Sequence, residues 1–387
     1  MALLSPLSVG IKRCSATSIS GLLKRSWAPI VPLLCVSRVC AAPLSTMQSP
    51  YKSSLGGPHE EARIVVVAEE GDPTLKELDA LPARSKVIFR GGSVEEFSSE
   101  AGKAALGEAN VLLNCCGDRA LLEALWPSLT GLQWLHSRFA GVDHILFPAL
   151  RESSVKLTNS RGLFSPALGE YVVLACLYFA KDVDRWKRQQ GQRVWGKFVV
   201  SEINGKTLGI LGYGDIGQVA GRMAKGMGMR VIAQRRRPEL SKVDGIADEV
   251  YGSDEVGEVI SRSDYVLLAA ALTPETKGMV GAAELARARP EAVLINVGRG
   301  PLLDEGALIE ALDTGRLRGA ALDVFCEEPL PQPSPLWGMD NVLLSPHNAD
   351  MTSDFLHRSV RLFASNMANF LTGTEASVHG VDLAVGY

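Results

Sequence analysis

From Ala62 onward the chain is punctuated by short, unbroken apolar runs rich in β-branched residues, with longer stretches of helical spacing between them. Arg63–Ala68 (RIVVVA), Lys86–Phe89 (KVIF), Asn110–Asn114 (NVLLN) and Leu132–His136 (LQWLH) form the first series. Runs of this length without polar alternation mark strands buried on both faces. Strands alternating with helices predict a parallel sheet with right-handed crossovers, so residues 62 to about 160 read as one small α/β unit. Ala167 to Lys187 reads as a long core helix, apolar through Tyr171–Phe179 (YVVLACLYF). A second series follows: Thr207–Leu211, Arg230–Ala233, Tyr265–Ala270, Ala292–Val297, Ala320–Val324 and Asn341–Ser345. Six strands with intervening helices predict a complete doubly wound fold. Ser353 to Leu371 is amphipathic, with Phe355, Val360, Phe363, Met367 and Phe370 on one face, and is expected to return to the first unit. The predicted architecture is α/β, with two Rossmann-like domains built on doubly wound parallel sheets. One spans residues 60–163 and is completed by 350–387; the other spans 164–349.

Charge changes the picture at the amino end. The 387 residues carry 40 Lys+Arg against 43 Asp+Glu, a formal net charge of −3. That near balance excludes a strongly basic nucleic-acid protein. The 46% hydrophobic content is that of a globular protein, and no run of about 18 apolar residues suggests a membrane span. Yet residues 1–59 hold Lys12, Arg13, Lys24, Arg25, Arg38 and Lys52 and no acid before Glu60, and are rich in serine. Basic, Ser-rich and acid-free is the composition of an organelle transit peptide, mitochondrial in preference to plastid; a plain disordered tail is the blander reading. Initiation at Met47 would leave a cytoplasmic form. The apolar run from Trp27 to Val36 is interrupted by Pro29 and Pro32, which speaks against a secretory signal. Seven cysteines without a CxxC pair offer neither a disulfide framework nor a metal site.

Candidate chemistry begins at Gly212-Tyr-Gly214-Asp-Ile-Gly217, which joins the strand ending at Leu211 to a helical stretch, Gln218 to Lys225. A GxGxxG run in a strand–turn–helix frame is the dinucleotide fingerprint. Gly212 permits the tight turn, Gly214 lets backbone N–H groups approach a pyrophosphate, and Gly217 lets the helix pack against the strand. Asp215, Ile216 and Val297 are assigned to the same cofactor site. About 20 residues on, an NAD-selective site would place an acid against the ribose 2′-hydroxyl. Here Gln234, Arg235, Arg236 and Arg237 stand instead. Guanidinium forks suit a 2′-phosphate, so NADP(H) is favoured with Arg235 and Arg236 as contacts. NAD(H) stays open, as does a merely solvated basic turn.

Three polar residues follow strand ends: Arg299, Glu328 and His347. Ligands of open α/β sheets bind beyond the carboxyl ends of strands, which would bring all three to one crevice. The segments around them, Asn296–Leu312 (NVGRGPLLDEGALIEAL), Gly319–Pro331 (GAALDVFCEEPLP) and Ser345–His347, resemble the D-isomer-specific 2-hydroxyacid dehydrogenase family, as does Leu132–His144 (LQWLHSRFAGVDH). The likeness runs from about residue 62 to 372. It implies a substrate domain and a dinucleotide domain with the active site in the cleft between them, and a homodimer formed through the helix around 167–187. It implies Arg299 as the substrate arginine, His347 as general acid and Glu328 as its orienting partner, with Glu327 as competitor. Backbone N–H groups at Ala140, Gly141 and Val142 would bind the substrate carboxylate, and Asp323 would meet the nicotinamide carboxamide. These residue types suit the chemistry, since an arginine fork grips a carboxylate and imidazole transfers protons near neutrality.

Other polar and reactive residues receive plainer readings. His136 and His144 read as packing or loop residues, Cys176 as core, and the pair Cys115–Cys116 as lining the substrate pocket. Trp195 caps a neighbouring subunit's pocket or packs in the core. Arg119 and Arg138 are the only cations placed near the pocket, too few for a phosphorylated substrate. Two features depart from the commoner family pattern: the missing acid after the second strand, and Asn348-Ala-Asp350 after His347. The reading that results is an NADPH-dependent reductase of a small 2-oxo acid, glyoxylate or hydroxypyruvate. A dinucleotide-sensing corepressor-like protein and an NAD-linked dehydrogenase of a larger 2-hydroxy acid are the alternatives.

Overall fold

The computed structural model describes residues 52–54, 58–241 and 244–386. Of the leader only 52–54 and 58–59 are among them, so the targeting reading and the Met47 start lie outside the described residues. Fourteen strands occur among the described residues. β1 (Lys52–Ser54) pairs antiparallel with β14 (Glu375–His379) as a small separate ribbon. β2 (Ala62–Val67), β3 (Ser85–Gly91), β4 (Val111–Asn114), β5 (Trp134–Ser137) and β6 (Lys156–Thr158) form a parallel sheet in the order β3-β2-β4-β5-β6. A larger parallel sheet contains β7 (Thr207–Leu211), β8 (Arg230–Gln234), β9 (Glu249–Tyr251), β10 (Tyr265–Leu268), β11 (Val293–Asn296), β12 (Gly319–Leu322) and β13 (Val342–Leu344). Its order is β13-β12-β11-β10-β7-β8-β9, the doubly wound arrangement with its switch point between β7 and β10.

The central strands form where expected because both faces are covered. Every residue of β4, β10, β11 and β12 is buried, which removes any need for polar alternation. The second sheet has seven strands, not six: β9 is a three-residue edge strand with no residue fully buried, so its sequence lacks an apolar run. β6 escapes notice for the same reason, being three residues long with Lys156 exposed.

The long helix expected over 167–187 is two helices, Ser165–Lys181 and Val183–Gln192. Asp182 breaks it: its backbone is left-handed (φ 50°) and its carboxylate accepts from Arg185 N–H, ending one helix and capping the next. The first of these helices lies against the helix Asp215–Gly226, with Gly169 meeting Met223 and Val219. The terminal helix, Phe355–Thr372, returns to the five-stranded sheet. Val360, Phe363, Met367 and Phe370 pack with Ile64, Val66 and Trp134, and Trp134 lies 5.0 Å and 5.4 Å from the Phe363 and Phe370 rings. Burying each such aromatic contributes about 1.5–3 kcal/mol, enough to tie the end of the chain to its beginning. Among the described residues, no helix is long and apolar enough to cross a membrane.

Candidate active site

The carboxyl ends of β7 and β10 face a cavity of about 1070 Å³, roomy for a small-molecule ligand. β7 leads into Gly212, whose φ of 95° only glycine adopts without strain, and where a Cβ would lie 2.3 Å from Ala270 N. The N–H groups of Gly212 and Tyr213 both donate to Gln234 O at 3.1 Å, fixing the turn to β8. Gly217 is needed for packing, since a Cβ there would meet Gly212 O at 2.8 Å. Gly214 differs: a Cβ would meet nothing within 4 Å, and no side chain caps the helix that begins at Asp215. Uncapped N–H groups, a positive dipole end and open space in front of them suit an anionic group. The residues present therefore fit a dinucleotide pyrophosphate. Asp215 is not an open carboxylate; Arg161 Nε donates to it.

Gln234, Arg235, Arg236 and Arg237 line the same cavity. Burial, followed by the neighbouring Arg237, pulls the Arg235 pKa down. Acid is not absent from this end. Glu275, on the loop after β10, also lines the cavity, and its carboxyl is held below the usual range first by the Thr273 hydroxyl, with Arg236 contributing less.

At the other end, the turn after β11 is shaped by Asn296. Its Oδ1 accepts from Gly298 N–H at 3.1 Å and its Nδ2 donates to Arg299 O at 3.0 Å. Arg299 Nη1 donates to Gly298 O at 2.8 Å, and Nε and Nη2 both donate to Asp143 Oδ1 at 3.2 Å. The guanidinium thus reaches from the seven-stranded side to a residue following β5. It passes so close to Gly141 that a Cβ there would lie 1.6 Å from Nη2. Gly300 is also obligatory, with a hypothetical Cβ 1.9 Å from the Phe325 carbonyl carbon.

His347 Nδ1 lies 2.7 Å from Glu328 Oε2. A carboxylate can only accept, so Nδ1 carries the proton and Nε2 is the ring's remaining nitrogen. Glu328 is itself held, since Oε1 accepts from Phe325 N–H at 2.9 Å. Glu327, the competing acid, is exposed and does not line the cavity. His347 adopts φ 52°, a left-handed conformation that costs a non-glycine residue energy. Asp323 Oδ1 organises the loop around it, accepting from Ser345 Oγ (2.7 Å), Asn348 N–H (3.0 Å) and Ala349 N–H (3.1 Å). Asp350 lines the cavity as well; burial raises its carboxyl pKa, and the nearby His347 partly offsets the rise.

The structure brings Arg299, Glu328, His347, Asp323, Val297, Ala140, Gly141 and Val142 to the wall of the cavity that the glycine turn opens into. Several other readings are corrected. Arg138 does not face the cavity; it is buried and donates to Asp72, Thr74 Oγ1 and Cys115 O. Arg119 pairs with Glu123 on an exposed helix face, away from the cavity wall. Of the two adjacent cysteines only Cys116 lines the cavity. Cys115 is core, its thiol pushed up to about 12 by burial. Trp195 is 95% exposed, which removes the core-packing reading. His136 is a core residue, bonded through Nδ1 to Thr158 Oγ1 at 2.7 Å and pushed down to about 3 by burial. His144, read as a packing or loop residue, lines the cavity beside Asp143, and burial lowers its pKa. Asp143, Arg161 and Asp350 were not assigned from sequence. Only Asp350 left a trace there, as an acid where the family pattern is small and apolar.

Residues 173–349 match the model of the D-isomer specific 2-hydroxyacid dehydrogenase NAD binding domain. The glyoxylate reductase of Aeropyrum pernix is 34% identical over 280 residues, covering 69% of this chain and 81% of that protein. The D-3-phosphoglycerate dehydrogenase of Methanocaldococcus jannaschii is 33% identical over 235 residues, but the match covers 60% of this chain and only 44% of that longer protein. Among solved structures, a D-isomer specific 2-hydroxyacid dehydrogenase family protein of Aeromonas salmonicida subsp. salmonicida A449 superimposes with TM-score 0.71 and 30% identity, over 84% of this chain and 99% of its own. An NADPH-dependent glyoxylate/hydroxypyruvate reductase of Sinorhizobium meliloti, solved with NADP and sulfate, gives TM-score 0.71 at 26% identity over 84% and 100%. Sequence likeness across four-fifths of a relative and a shared two-sheet architecture lead to one conclusion: the chain belongs to the D-isomer specific 2-hydroxyacid dehydrogenase family of NAD(P)-dependent oxidoreductases.

Proposed function

We propose that this enzyme reduces a small 2-oxo acid of the glyoxylate or hydroxypyruvate type to the 2-hydroxy acid, using NADPH. The observation that carries the reading is the 2.7 Å His347–Glu328 pair in the same cavity as Arg299 and the glycine turn. NADPH, when bound at Gly212–Ile216, supplies the hydride. Arg299 and the N–H groups of Gly141 and Val142 hold the substrate carboxylate; Asp143 and Gly298 O keep the guanidinium aimed. Glu328 holds Nδ1–H, so the proton that His347 delivers to the carbonyl oxygen is a second one carried on Nε2, and its transfer leaves the neutral Nδ1–H imidazole still bonded to Glu328. Asp323 serves the nicotinamide carboxamide while bracing the His347 loop.

The cofactor preference rests on Gln234, Arg235 and Arg236 at the carboxyl end of β8, and on the NADP bound by the Sinorhizobium reductase. The small substrate rests on Arg119 and Arg138, the cations that a phosphorylated substrate would have called on, being engaged elsewhere. Assembly as a homodimer is part of the proposal. Trp186, Val194, Trp195, Val199 and Val200 form an exposed apolar stretch next to the helix Ser165–Lys181, a patch that invites a partner. Mitochondrial import through the basic leader completes it. The test is a panel of 2-oxo acids assayed with both reduced cofactors. Fastest turnover of glyoxylate or hydroxypyruvate with NADPH supports the reading. An NADH preference would overturn the cofactor assignment, and turnover confined to phosphorylated acids would overturn the substrate.

A further inference from the structure

A cation stands at the glycine turn that the family fingerprint does not supply. Arg161 lies between β6 and the helix Ser165–Lys181, and its side chain lines the cavity. Its Nε donates to Asp215 Oδ2, the carboxylate of the first residue of the helix Asp215–Gly226. An acid on that rim is awkward. The pyrophosphate of a dinucleotide is dianionic, and the helix end that would receive it is made attractive by its N–H groups and dipole. A bare carboxylate in the first turn would repel it. Paired with Arg161, the acid is neutralised. Arg161 Nη1 and Nη2 have no hydrogen-bond partner among the described residues, so they keep their N–H donors for an anion.

A second connection leads away from the same residue. Arg161 N–H donates to Asn159 Oδ1 at 3.3 Å, and Asn159 Nδ2 donates to Ala140 O at 2.5 Å. Ala140 precedes Gly141, over which the Arg299 guanidinium lies. The cofactor turn and the loop that receives the substrate carboxylate are thus three residues apart through hydrogen bonds.

We infer that Arg161 is a cofactor-binding residue, which neutralises Asp215 and grips the dinucleotide pyrophosphate from the side of the five-stranded sheet. The inference rests on the proposed use of NADPH. NADPH is titrated against the full-length protein by tryptophan fluorescence, alongside adenosine 2′-monophosphate, which has no pyrophosphate. Arg161→Ala is expected to raise the NADPH dissociation constant by roughly 10- to 100-fold, the range for losing charge-assisted hydrogen bonds, and to leave the affinity for adenosine 2′-monophosphate unchanged. Arg161→Lys is expected to retain most of the affinity. The double variant Arg161→Ala/Asp215→Asn is expected to bind NADPH several-fold more tightly than Arg161→Ala alone, because it removes the exposed acid that the single change leaves behind. Unaltered NADPH affinity in Arg161→Ala, or an equal loss for both ligands, overturns the inference. A wild-type protein that binds no NADPH defeats the functional reading instead.

Discussion

Gly141→Ala isolates the placement of Arg299 from its presence. The added Cβ would stand 1.6 Å from Arg299 Nη2, 2.9 Å from Cζ and 3.3 Å from Asp143 Oδ1. Non-bonded heavy atoms need about 3.5 Å, so the guanidinium must retreat by about 2 Å. That breaks its 3.2 Å contacts to Asp143. The guanidinium ends a flexible, partly exposed side chain, so the fold gives way cheaply there and the thermal midpoint is expected to stay within about 2 °C of wild type. Catalysis has no such tolerance, since a displacement of about 1 Å can cost about 10²-fold. The expected result is a fall of about 10²-fold or more in kcat/KM for the 2-oxo acid, read from the absorbance of reduced nicotinamide, with NADPH affinity unchanged. Gly107→Ala, where a Cβ meets nothing within 4 Å, is the silent control. A Gly141→Ala enzyme with kcat/KM near that of wild type would refute the assignment of substrate anchoring to Arg299 in this position.

Further outcomes follow from the same geometry. His347→Ala is expected to lower kcat by roughly 10²–10⁴ through loss of the proton donor. Adding Glu328→Gln to it should cost little more, because the two act as one unit; additive losses in the double variant would separate their roles. His136 is neutral in the fold, with its pKa near 3 against about 6.5 when unfolded. The unfolded chain therefore gains a proton first as the pH drops, and stability falls from about pH 6.5 downward. The loss is ~2 kcal/mol by pH 5, and His136→Gln should remove that part of the pH dependence in urea unfolding; an unaltered slope would show that His136 titrates normally. Asp350 has the opposite linkage: its folded pKa is raised by burial, so its contribution is lost as the pH rises through that value. Asp350→Asn is expected to raise the thermal midpoint at pH 8 by roughly 1–3 °C and to have little effect in acid. Equal shifts at both pH values would contradict burial as the cause.

Much of the architecture is legible along the chain because the central strands of both sheets are covered on two sides. β4 and β11 read as apolar runs with nothing to confuse them. The edge strands β6 and β9 are three residues each, β6 with Lys156 exposed and β9 with every residue only partly buried, so they leave no such run. The break at Asp182 is invisible to periodicity, for the residues on both sides form good helix and only the left-handed backbone at one position separates them. Arg299, Glu328 and His347 are legible as polar residues immediately past buried strands. Their supports are not. Asp143 meets Arg299 across 156 positions and Arg161 meets Asp215 across 54, and neither spacing follows from a helix or strand repeat. Exposure misleads for Arg138 and Cys115, which are expected at the pocket and are locked in the core; His144, expected as a packing or loop residue, lines the cavity.

The most direct test of the site is a crystal structure with NADP⁺ and oxamate, an inert mimic of a small 2-oxo acid. On the proposed mechanism the oxamate carboxylate lies between the Arg299 guanidinium and the Gly141–Val142 N–H groups, with its 2-oxygen within hydrogen-bond distance of His347 Nε2 and Nδ1 still on Glu328. Oxamate bound away from Arg299, or a ternary complex in which His347 points out of the cleft, would contradict it.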